Sequence, residues 1–444
     1  MMKILIPASC IAMTGNVQQC LLLAREQGFD IECIELGVSP TLHFQLVRDQ
    51  HITHISTDLI SKHDGQVLLD YVLYYHGSID IERYLEQPKN SIYIDVEDAE
   101  QGDVSCILSQ FDIWRHPDTG EVRALSAAPS LLFHPKAHFV WVVTLLALDF
   151  PIEDALTLAR AMLASCDDVS RETLSNPRMG FNKTWPSSYA HFPVPVLTDS
   201  RLGIDVNWST ANQALSFPSL SKLALGLYPV VNSVEWIERL LELGVKTIQL
   251  RIKDPHRHDL EQQIERAVAL GRQYHAQVFI NDYWQLAIKH GAFGVHLGQE
   301  DIEQSNLDLL REAGVCLGLS THGYYELLRI AQIYPSYIAL GHIFPTTTKQ
   351  MPSLPQGLVR LALYQQLIDT IPYRGNQGLP TVAIGGIDQT NAHQVWQCGV
   401  SSLAVVRAIT EADSIEQAIE FFQQVMSKHS VRDKNNSEEL THAK

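Results

Sequence analysis

A concentrated set of charged and amide side chains lies in the second half of the chain, in the segment Gln249-Leu-Arg-Ile-Lys253. If this segment is a β-strand, its period-two alternation puts Gln249, Arg251 and Lys253 on one face. Cationic side chains that point into a protein together are costly unless an anion meets them. The segment therefore predicts an anion-binding surface, and pairing with carboxylates of the same domain is the alternative.

Two carboxylates follow the next two β-branched runs. Asp282 ends the run Phe279-Ile-Asn-Asp282, and Asp301 ends the run that begins at His296. One or two carboxylates, completed by water and substrate phosphate oxygens, are the ligands that Mg²⁺ prefers. Because an Asp after a strand commonly caps the following helix, capping is the alternative for each residue. Opposite a cationic surface, the pair predicts a Mg²⁺ site that binds a diphosphate.

Two further segments carry the features of phosphate-binding loops. The run Thr346-Thr-Thr-Lys349 offers hydroxyls, backbone N–H groups and one ammonium, and an ordinary solvated loop is its alternative. Gly385-Gly386 allows backbone amides to approach an anion closely. Two separate anion sites beside a metal site predict two phosphorylated substrates, one of them a diphosphate.

These segments need a regular fold to position them, and from Leu223 to about Val425 short β-branched runs alternate with amphipathic stretches. The predicted strands are Leu223–Val231, Thr247–Lys253, Gln277–Asp282, Gly294–Gln299, Cys316–Thr321, Tyr337–Phe344, Thr381–Ile387 and Ser402–Ile409. The predicted helices are Val234–Leu243, Leu260–Tyr274, Trp284–His290, Leu307–Ala313, Tyr325–Ile333, Leu358–Asp369, Asn391–Gln397 and Ile415–Val425. The residues expected at helix C-termini are Gly244, Gly291, Gly314 and Gly399. This α/β rhythm predicts a (β/α)₈ TIM barrel with its active site at the carboxyl ends of the strands, and an open doubly wound sheet is the alternative.

Length and composition set the domain layout. The 444 residues suggest two or three domains at about 150 residues each. We expect an α/β accessory domain over residues 1–200, a linker over 201–222, the barrel over 223–427 and a polar tail over 428–444. The predicted elements of the first domain are the strands Lys3–Pro7, Asp30–Leu36 and Ser91–Val96 and the helix Gln18–Gln27.

Charge and cysteine content narrow the classes of partner. The net charge of −17 argues against a nucleic-acid partner, because phosphate neutralisation needs a basic face. No run of 18 apolar residues occurs, so no membrane-spanning helix is predicted. The seven cysteines are scattered without a CxxC pair, which predicts reduced thiols and a cytoplasmic location. Small-molecule substrates are the expected partners, and a homo-oligomer stays open.

From about Leu225 to Val425 the chain resembles the thiamine phosphate synthase family. The resemblance depends on the order of LGLYPVV, QLRIK, FINDYW, GVHLGQED, LGLSTH, YIALGHIFPTTTKQMPS, PQGL, TVAIGGI and AVVRAIT. It implies a transferase that joins 4-amino-2-methyl-5-(diphosphooxymethyl)pyrimidine to 4-methyl-5-(2-phosphoethyl)thiazole, giving thiamine phosphate and pyrophosphate. Mg²⁺ is the implied cofactor.

The resemblance also implies a role for individual residues. The pyrimidine diphosphate would be bound by the segment 249–253, with Leu250 and Ile252 counted in it, and by Asn281, Ser320 and Lys349. Asp282 and Asp301 would hold Mg²⁺. The thiazole phosphate would contact Thr346, Thr347, Thr348, Gly386, Val406 and Arg407. The family commonly has Ser where this chain has Arg407, so the resemblance supports a backbone role at 407 and leaves the side-chain role open.

The implied chemistry is a dissociative substitution. The aminopyrimidine can delocalise a benzylic-type cation, so Arg251, Lys253 and Lys349 would be catalytic by stabilising the leaving pyrophosphate. No protein nucleophile is required, so Cys316 and Cys398 are predicted core residues. The histidines at 296, 322 and 342 have no metal-ligand spacing, and they are predicted either to be structural or to support the residues that touch the substrate.

The first half of the chain carries fewer motifs that indicate a function than the second half does. Residues 140–173 faintly resemble the final helices of the hydroxymethylpyrimidine phosphate kinase family, which is ribokinase-like. That family's Gly-rich segment is absent, since residues 7–15 hold one Gly, and Phe133-His-Pro-Lys-Ala-His138 replaces its anion hole. A degenerate kinase-like domain used for binding, regulation or assembly and an unrelated α/β domain are equal alternatives. For the whole chain, a bifunctional kinase–synthase, a thiazole tautomerase-like barrel and a phosphate-ligand binder are the other functions considered.

Overall fold

The structure, a computed structural model, describes residues 1–60, 68–76, 81–97, 110–127, 133–165, 184–206, 208, 216–346 and 354–427. The chain divides into two compact units, an N-terminal unit of Met1–Val206 and a barrel unit of Asn207–Lys444. The predicted polar tail, 428–444, lies outside the described residues. Within the described residues, no helix has the length and apolar character needed to cross a membrane.

The N-terminal unit is built on a mixed sheet, which confirms the predicted α/β class. Its described strands are β1 (Met2–Pro7), β2 (Ile34–Ser39), β3 (Phe44–Arg48), β4 (His51–Thr57), β5 (Tyr71–Tyr74), β6 (Ser91–Glu97), β7 (Gln110–Arg115), β8 (Val122–Ala127) and β9 (Val194–Pro195). They pair in the order β2-β1-β3-β4-β5-β6-β7-β8-β9. The pairs β1–β2, β4–β5 and β5–β6 are parallel, and the others are antiparallel.

Helices and a short hairpin complete this unit. The elements are α1 (Thr14–Glu26), α2 (Pro135–Ala147), α3 (Ile152–Ala164), β10 (Thr198–Asp199) and β11 (Ile204–Asp205). The helix α2 is apolar on nearly every side and is buried along most of its length, which is typical of a central helix in a core.

The segment predicted as a linker, 201–222, contains described residues that pack within each of the two units. Leu202 and Ile204 belong to a hydrophobic cluster of the N-terminal unit. Phe217 is fully buried in the barrel unit, where the Arg311 guanidinium lies 4.8 Å from the centre of its ring. These apolar side chains are covered by the unit to which each belongs.

The second half forms a closed parallel barrel, as predicted. Its strands are β12 (Leu227–Val231), β13 (Thr247–Leu250), β14 (Gln277–Asn281), β15 (Gly294–Leu297), β16 (Cys316–Thr321), β17 (Tyr337–Gly341), β20 (Thr381–Ile384) and β21 (Ser402–Val405). The hairpin of β18 (Pro372–Tyr373) and β19 (Asn376–Gln377) precedes β20. Most predicted strands run past the observed ends, because the residues that follow the strands belong to loops or, after β21, to the helix at Arg407–Thr410.

Helices surround the barrel. They are α4 (Val234–Glu242), α5 (Leu260–Gln273), α6 (Trp284–His290), α7 (Gln299–Glu303), α8 (Leu307–Glu312), α9 (Tyr324–Ala331), α10 (Gly357–Thr370), α11 (Ala392–Gln397), α12 (Arg407–Thr410) and α13 (Ile415–Ser427). The short helices α7 and α12 were not predicted. Gly244, Gly291, Gly314 and Gly399 all have positive φ, which confirms the predicted helix ends.

Aromatic side chains fill the barrel interior. Tyr228, Phe279 and Tyr337 are fully buried, and their rings contact one another at centroid distances of 5.3–5.8 Å. Gly318 on β16 is required beside them, because a Cβ at this position would lie 2.1 Å from the Tyr337 ring. The interior is therefore packed below the carboxyl ends of the strands, and an open cavity begins above it.

Candidate active site

One cavity of about 1310 Å³ opens at the carboxyl ends of the barrel strands. Among the predicted site residues, those that line it are Gln249, Arg251, Ile252, Lys253, Asn281, Asp282, Asp301, Ser320, Thr346, Gly386, Val406 and Arg407. Leu250 does not line the cavity, and its side chain is 1% exposed. Thr347, Thr348 and Lys349 lie outside the described residues. The loops therefore bring together residues that are up to 158 positions apart in the sequence.

The cationic wall follows β13. Gln249 lies within the strand, whereas Arg251 and Lys253 follow its end. The Arg251 backbone N–H still donates to the Val231 carbonyl at 2.7 Å, so the alternation continues for one more residue. This places Arg251 on the cavity side and Leu250 in the barrel wall. Among the described residues, Arg251 has no carboxylate partner, which does not support the alternative of an internal ion pair for this residue.

The two carboxylates hold different positions at the cavity wall. Asp282 has a left-handed backbone, with φ of 64°, and its N–H donates to the His296 carbonyl at 3.0 Å. Asp301 lies in the first turn of α7, where its Oδ2 accepts from the Gly298 N–H at 3.0 Å. The helix-capping alternative therefore applies to one oxygen of Asp301, while the residue still lines the cavity.

Asp282 and Asp301 are the carboxylates predicted to hold a metal, and they would leave such a site open to solvent and substrate. No group of three or more His, Cys, Asp or Glu side chains that could enclose a metal occurs in the described part of the chain. Asp282 and Asp301 are nevertheless contributed by neighbouring strand ends to one cavity. Two carboxylates that leave most coordination positions to water and phosphate suit Mg²⁺.

The opposite wall comes from the loops after β20 and β21. Gly386 has φ of 65°, and a Cβ there would lie 2.8 Å from both the Phe344 Cβ and the Pro345 oxygen. Glycine is therefore required for the loop to pass this close to the chain after β17. Asn391 Nδ2 donates to the Gly386 carbonyl at 2.9 Å and holds the loop in place. The exposed Arg407 begins α12 at the same wall.

The cavity brings together the residues predicted for two anionic ligands, and the comparisons with known proteins identify the family of the chain. The thiamine monophosphate synthase family matches residues 227–409. Thiamine-phosphate synthase of Proteus mirabilis is 58% identical over 193 residues, which is 44% of this chain and 86% of the relative. This chain belongs to the thiamine-phosphate synthase family. The prediction that it is an enzyme of the transferase class is thereby confirmed.

Two further proteins are similar to this chain, to different extents. The enzyme of Klebsiella pneumoniae is 59% identical over 189 residues, which is 42% of this chain and 85% of the relative. The solved thiamine phosphate pyrophosphorylase of Pyrococcus furiosus is 27% identical and has a TM-score of 0.40, covering 47% of this chain and 98% of that protein. The family match lies within the barrel unit, and the kinase-like resemblance of the N-terminal unit stays a prediction.

Two buried residues below the cavity of this thiamine-phosphate synthase family member were not predicted from the sequence. Gln249 Nε2 donates to the Tyr228 hydroxyl at 3.3 Å, and that hydroxyl lies 2.8 Å from the hydroxyl of Tyr337. The sequence signal for Tyr228 is weak: it lies in a predicted strand on the same face as Val230, but the register that brings Val230 beside Gln249 follows from the structure. Tyr337 carries no comparable signal.

Cys316 is buried in the barrel core, as predicted, whereas Cys398 is only partly buried, and both His322 and His342 line the cavity. Burial raises the pKa of Cys316 and of Cys398 to about 11, so both stay protonated at neutral pH. His322 Nδ1 lies 2.9 Å from Glu326 Oε2. Burial, and to a lesser extent the nearby His322, lowers the pKa of His342. At neutral pH these groups offer no thiolate nucleophile.

Proposed function

We propose that the barrel unit catalyses the formation of thiamine phosphate and pyrophosphate. The substrates would be 4-amino-2-methyl-5-(diphosphooxymethyl)pyrimidine and 4-methyl-5-(2-phosphoethyl)thiazole. The observation that carries the proposal is the single cavity with a cation-and-carboxylate wall at one side and a Gly-rich wall at the other. Family membership supports the same reaction.

The pyrimidine diphosphate would bind at the wall after β13 to β16. Gln249 and Asn281 are about 95% buried and offer amide groups for the ring and the diphosphate. Arg251 and Lys253 carry the positive charge that the overall acidic chain must supply locally. Charge-assisted hydrogen bonds from a guanidinium to phosphate oxygens are stronger than neutral ones. We assign Arg251 and Lys253 to the leaving diphosphate, together with Lys349.

We also propose Mg²⁺ as the cofactor, held by Asp282 and Asp301. When bound, the ion would neutralise part of the negative charge on the diphosphate. Asp301 keeps Oδ1 available for this role because the helix cap uses Oδ2.

The thiazole phosphate would bind at the wall formed by Gly386, Val406 and Arg407. We assign Thr346, Thr347 and Thr348 to the same phosphate from the family resemblance. Gly386 has no side chain, so the backbone N–H groups of this loop can approach a phosphate without steric hindrance. The two walls face one cavity, so the thiazole nitrogen can be held in line with the methylene carbon of the pyrimidine.

The reaction then needs one bond to break and one to form. The methylene C–O bond breaks and its electron pair leaves with pyrophosphate, while the thiazole nitrogen gives its lone pair to the new C–N bond. No proton has to be removed, which agrees with the protonated thiols of Cys316 and Cys398. The protein's contribution is positioning, stabilisation of the leaving charge and exclusion of water from the cation.

Product analysis tests the proposal. The full-length chain with both substrates and Mg²⁺ should form thiamine phosphate, detected by mass spectrometry, and omission of either substrate should abolish it. Asp282→Asn should lose the product. Asp369→Asn is the matched control, because Asp369 pairs with Lys222 on the surface, outside the cavity lining. Absence of product from the folded wild-type chain would refute the proposal.

We further propose a cytoplasmic location. The described cysteines, Cys10, Cys20, Cys33, Cys316 and Cys398, are all free thiols. Free thiols are typical of a reducing compartment. Fractionation of cells followed by immunodetection tests this, and recovery in an extracytoplasmic fraction would contradict it.

For the N-terminal unit, we propose an accessory role without phosphoryl transfer. The helix α2 begins at Pro135, and its N-cap His134 makes no side-chain capping hydrogen bond. This places an apolar helix, not a Gly-rich anion hole, after the sequence Phe133-His-Pro. ATP-dependent phosphorylation of hydroxymethylpyrimidine phosphate by the full chain would overturn this assignment.

A further inference from the structure

A continuous line of polar side chains joins two residues assigned to the pyrimidine diphosphate. It begins with Gln249 Nε2, which lies 3.3 Å from Tyr228 Oη, and Tyr228 Oη lies 2.8 Å from Tyr337 Oη. His296 continues it, with Nδ1 2.8 Å from Tyr337 Oη and Nε2 2.8 Å from Ser320 Oγ. We call these five residues the hydrogen-bond chain. Gln249, His296 and Ser320 line the cavity, while the two tyrosines are fully buried.

The donor atom of Gln249 sets the direction of the hydrogen bonds along the hydrogen-bond chain. Gln249 Nε2 can only donate, so Tyr228 accepts and passes its single proton to Tyr337. Tyr337 then keeps its own proton, and His296 Nδ1 is the other group within hydrogen-bond distance of its hydroxyl that can accept it. A neutral imidazole that accepts at Nδ1 carries its proton at Nε2 and donates there.

The two phenols can hold this direction at neutral pH. Burial raises the pKa of Tyr228 and of Tyr337, so both remain protonated and each has one proton to give. In the reverse direction Tyr228 would accept from both Gln249 Nε2 and Tyr337, and its own buried proton would have no acceptor among these partners.

We propose that the hydrogen-bond chain fixes His296 as the Nε2–H tautomer and thereby directs the Ser320 hydroxyl to donate to the leaving diphosphate. The inference rests on the proposed function for the identity of the anion at Ser320. Since Ser320 Oγ accepts from His296, its own proton is left for a ligand in the cavity. His296 and Tyr337 are then positioning residues, and His296 takes no part as an acid or a base.

A donor with a fixed direction matters for this reaction because the diphosphate gains negative charge as the C–O bond breaks. A hydroxyl that is already oriented needs no reorganisation at that moment. A hydroxyl that rotates freely would donate only part of the time. The effect should therefore appear in kcat more than in KM.

The role of the hydrogen-bond chain can be tested by a substitution that keeps the packing of the barrel interior. The Tyr337 ring contacts Phe279 and lies against Gly318, but only its hydroxyl belongs to the hydrogen-bond chain. Tyr337→Phe keeps the ring and removes the hydroxyl. Tyr373→Phe is the matched control, because the buried Tyr373 hydroxyl donates to the Pro335 carbonyl at 3.0 Å, and Tyr373 does not line the cavity.

The first measurement reads the tautomer directly. In ¹⁵N-histidine-labelled full-length chain, His296 should show an unprotonated Nδ1 and a protonated Nε2, assigned by the loss of its signals in His296→Gln. Tyr337→Phe should shift the Nδ1 resonance, and Tyr373→Phe should not. A protonated Nδ1 in the wild-type chain would overturn the proposal, whether or not the chain turns over.

The second measurement is kinetic. Tyr337→Phe should lower kcat about tenfold, a loss of ~1.4 kcal/mol in the transition state, and change KM for the pyrimidine diphosphate less than about threefold. Tyr228→Phe should cost only about threefold, because Tyr337 can still donate to His296. His296→Gln keeps an N–H near the Nε2 position and should retain more activity than His296→Leu.

Two results would overturn the kinetic part. One is a Tyr337→Phe effect no larger than that of Tyr373→Phe. The other is equal activity in His296→Gln and His296→Leu. A wild-type chain that forms no thiamine phosphate would instead refute the proposed function, and the tautomer measurement would still decide the direction of the hydrogen-bond chain.

Discussion

Arg251 of the barrel unit and Arg160 of the N-terminal unit hold their charges in opposite ways. Arg160 is 5% exposed, and its guanidinium binds both carboxylate oxygens of Asp112, at 2.7 and 2.5 Å, and Asp95 Oδ1 at 2.9 Å. Phe133 covers it, with the guanidinium carbon 4.2 Å from the ring centre. Arg251 lines the cavity and has no carboxylate partner among the described residues.

Arg160 carries a charge that supports the fold, whereas Arg251 carries a charge that we propose for ligand binding. A buried guanidinium that is neutralised by its own domain has no capacity left for an anion, and removing it strands the carboxylates that it served. A guanidinium that faces a cavity without a partner can bind an anion at little cost to the fold. We expect substitutions at the two arginines to affect different properties.

Arg160→Met should give the largest change in stability. It leaves Asp112, which is 1% exposed, without its cation, so the free energy of unfolding of the N-terminal unit should fall by about 3–5 kcal/mol. Native-state hydrogen exchange of peptides from α2 and α3 in the full chain measures this unit separately. Arg48→Met is the control, because the Arg48–Asp149 pair is on the surface and should contribute less than about 1 kcal/mol. Equal losses in the two variants would remove the basis of the comparison.

Arg251→Ala should act on catalysis instead. Loss of one preorganised charge at the leaving group should lower kcat by about 10²–10³-fold. Unfolding of the barrel unit should change by less than about 0.5 kcal/mol. Steady-state kinetics and thermal unfolding measure the two effects. Arg266→Ala is the matched control, since Arg266 is half exposed and pairs with Glu238 outside the cavity. A strongly destabilised Arg251→Ala would show that this arginine also supports the fold.

The free energy of unfolding should depend more strongly on pH in the N-terminal unit than in the barrel unit. Burial, in the presence of the nearby Arg160, lowers the pKa of His138 to about 3, whereas an unfolded chain has a His pKa of about 6.5. Below pH 6.5 His138 binds a proton in the unfolded state but stays neutral in the folded state. The free energy of unfolding therefore falls as the pH falls towards 3. At pH 5 the loss should be about 2 kcal/mol relative to pH 7.5.

Hydrogen exchange of α2 at the two pH values measures this loss, and His138→Gln should abolish it. The control is His51→Gln, because His51 is exposed. If His138→Gln kept the full pH dependence, the buried cluster would not be its source.

Arg407→Ser should have the smallest effect. The side chain is exposed at the cavity wall, so its contact with a phosphate would be screened by solvent. KM for the thiazole phosphate should rise about threefold, with kcat unchanged. Arg374→Ser, in the exposed loop between β18 and β19, is the control. A fall in kcat would place the Arg407 charge on the reacting atoms.

The sequence could predict the barrel and its site because one fold rule connects them. Once the strands are placed by their β-branched runs, the residues at their carboxyl ends must face one cavity, whatever their separation along the chain. Asn281 and Gly386 are 105 positions apart and line the same cavity. The exact strand ends were harder, since Thr247–Lys253 was predicted and β13 ends at Leu250.

The rest depended on contacts between distant residues that no local pattern records. Tyr228 meets Tyr337 only because the barrel closes, and Arg160 meets Asp112 only because α3 packs on β7. The order of the nine-stranded sheet, in which β3 lies between β1 and β4, likewise follows from tertiary packing. The helices α7 and α12 were missed because five and four residues are too few to show a helical period.

Pyrophosphate release tests the central claim, that one cavity holds both substrates and a metal. The full-length chain should release pyrophosphate only when the pyrimidine diphosphate, the thiazole phosphate and Mg²⁺ are all present, in equal amount to the thiamine phosphate formed. Asp282→Asn should lose this release, while Asp369→Asn should keep it. Release without the thiazole phosphate, or release that persists in Asp282→Asn, would contradict the account.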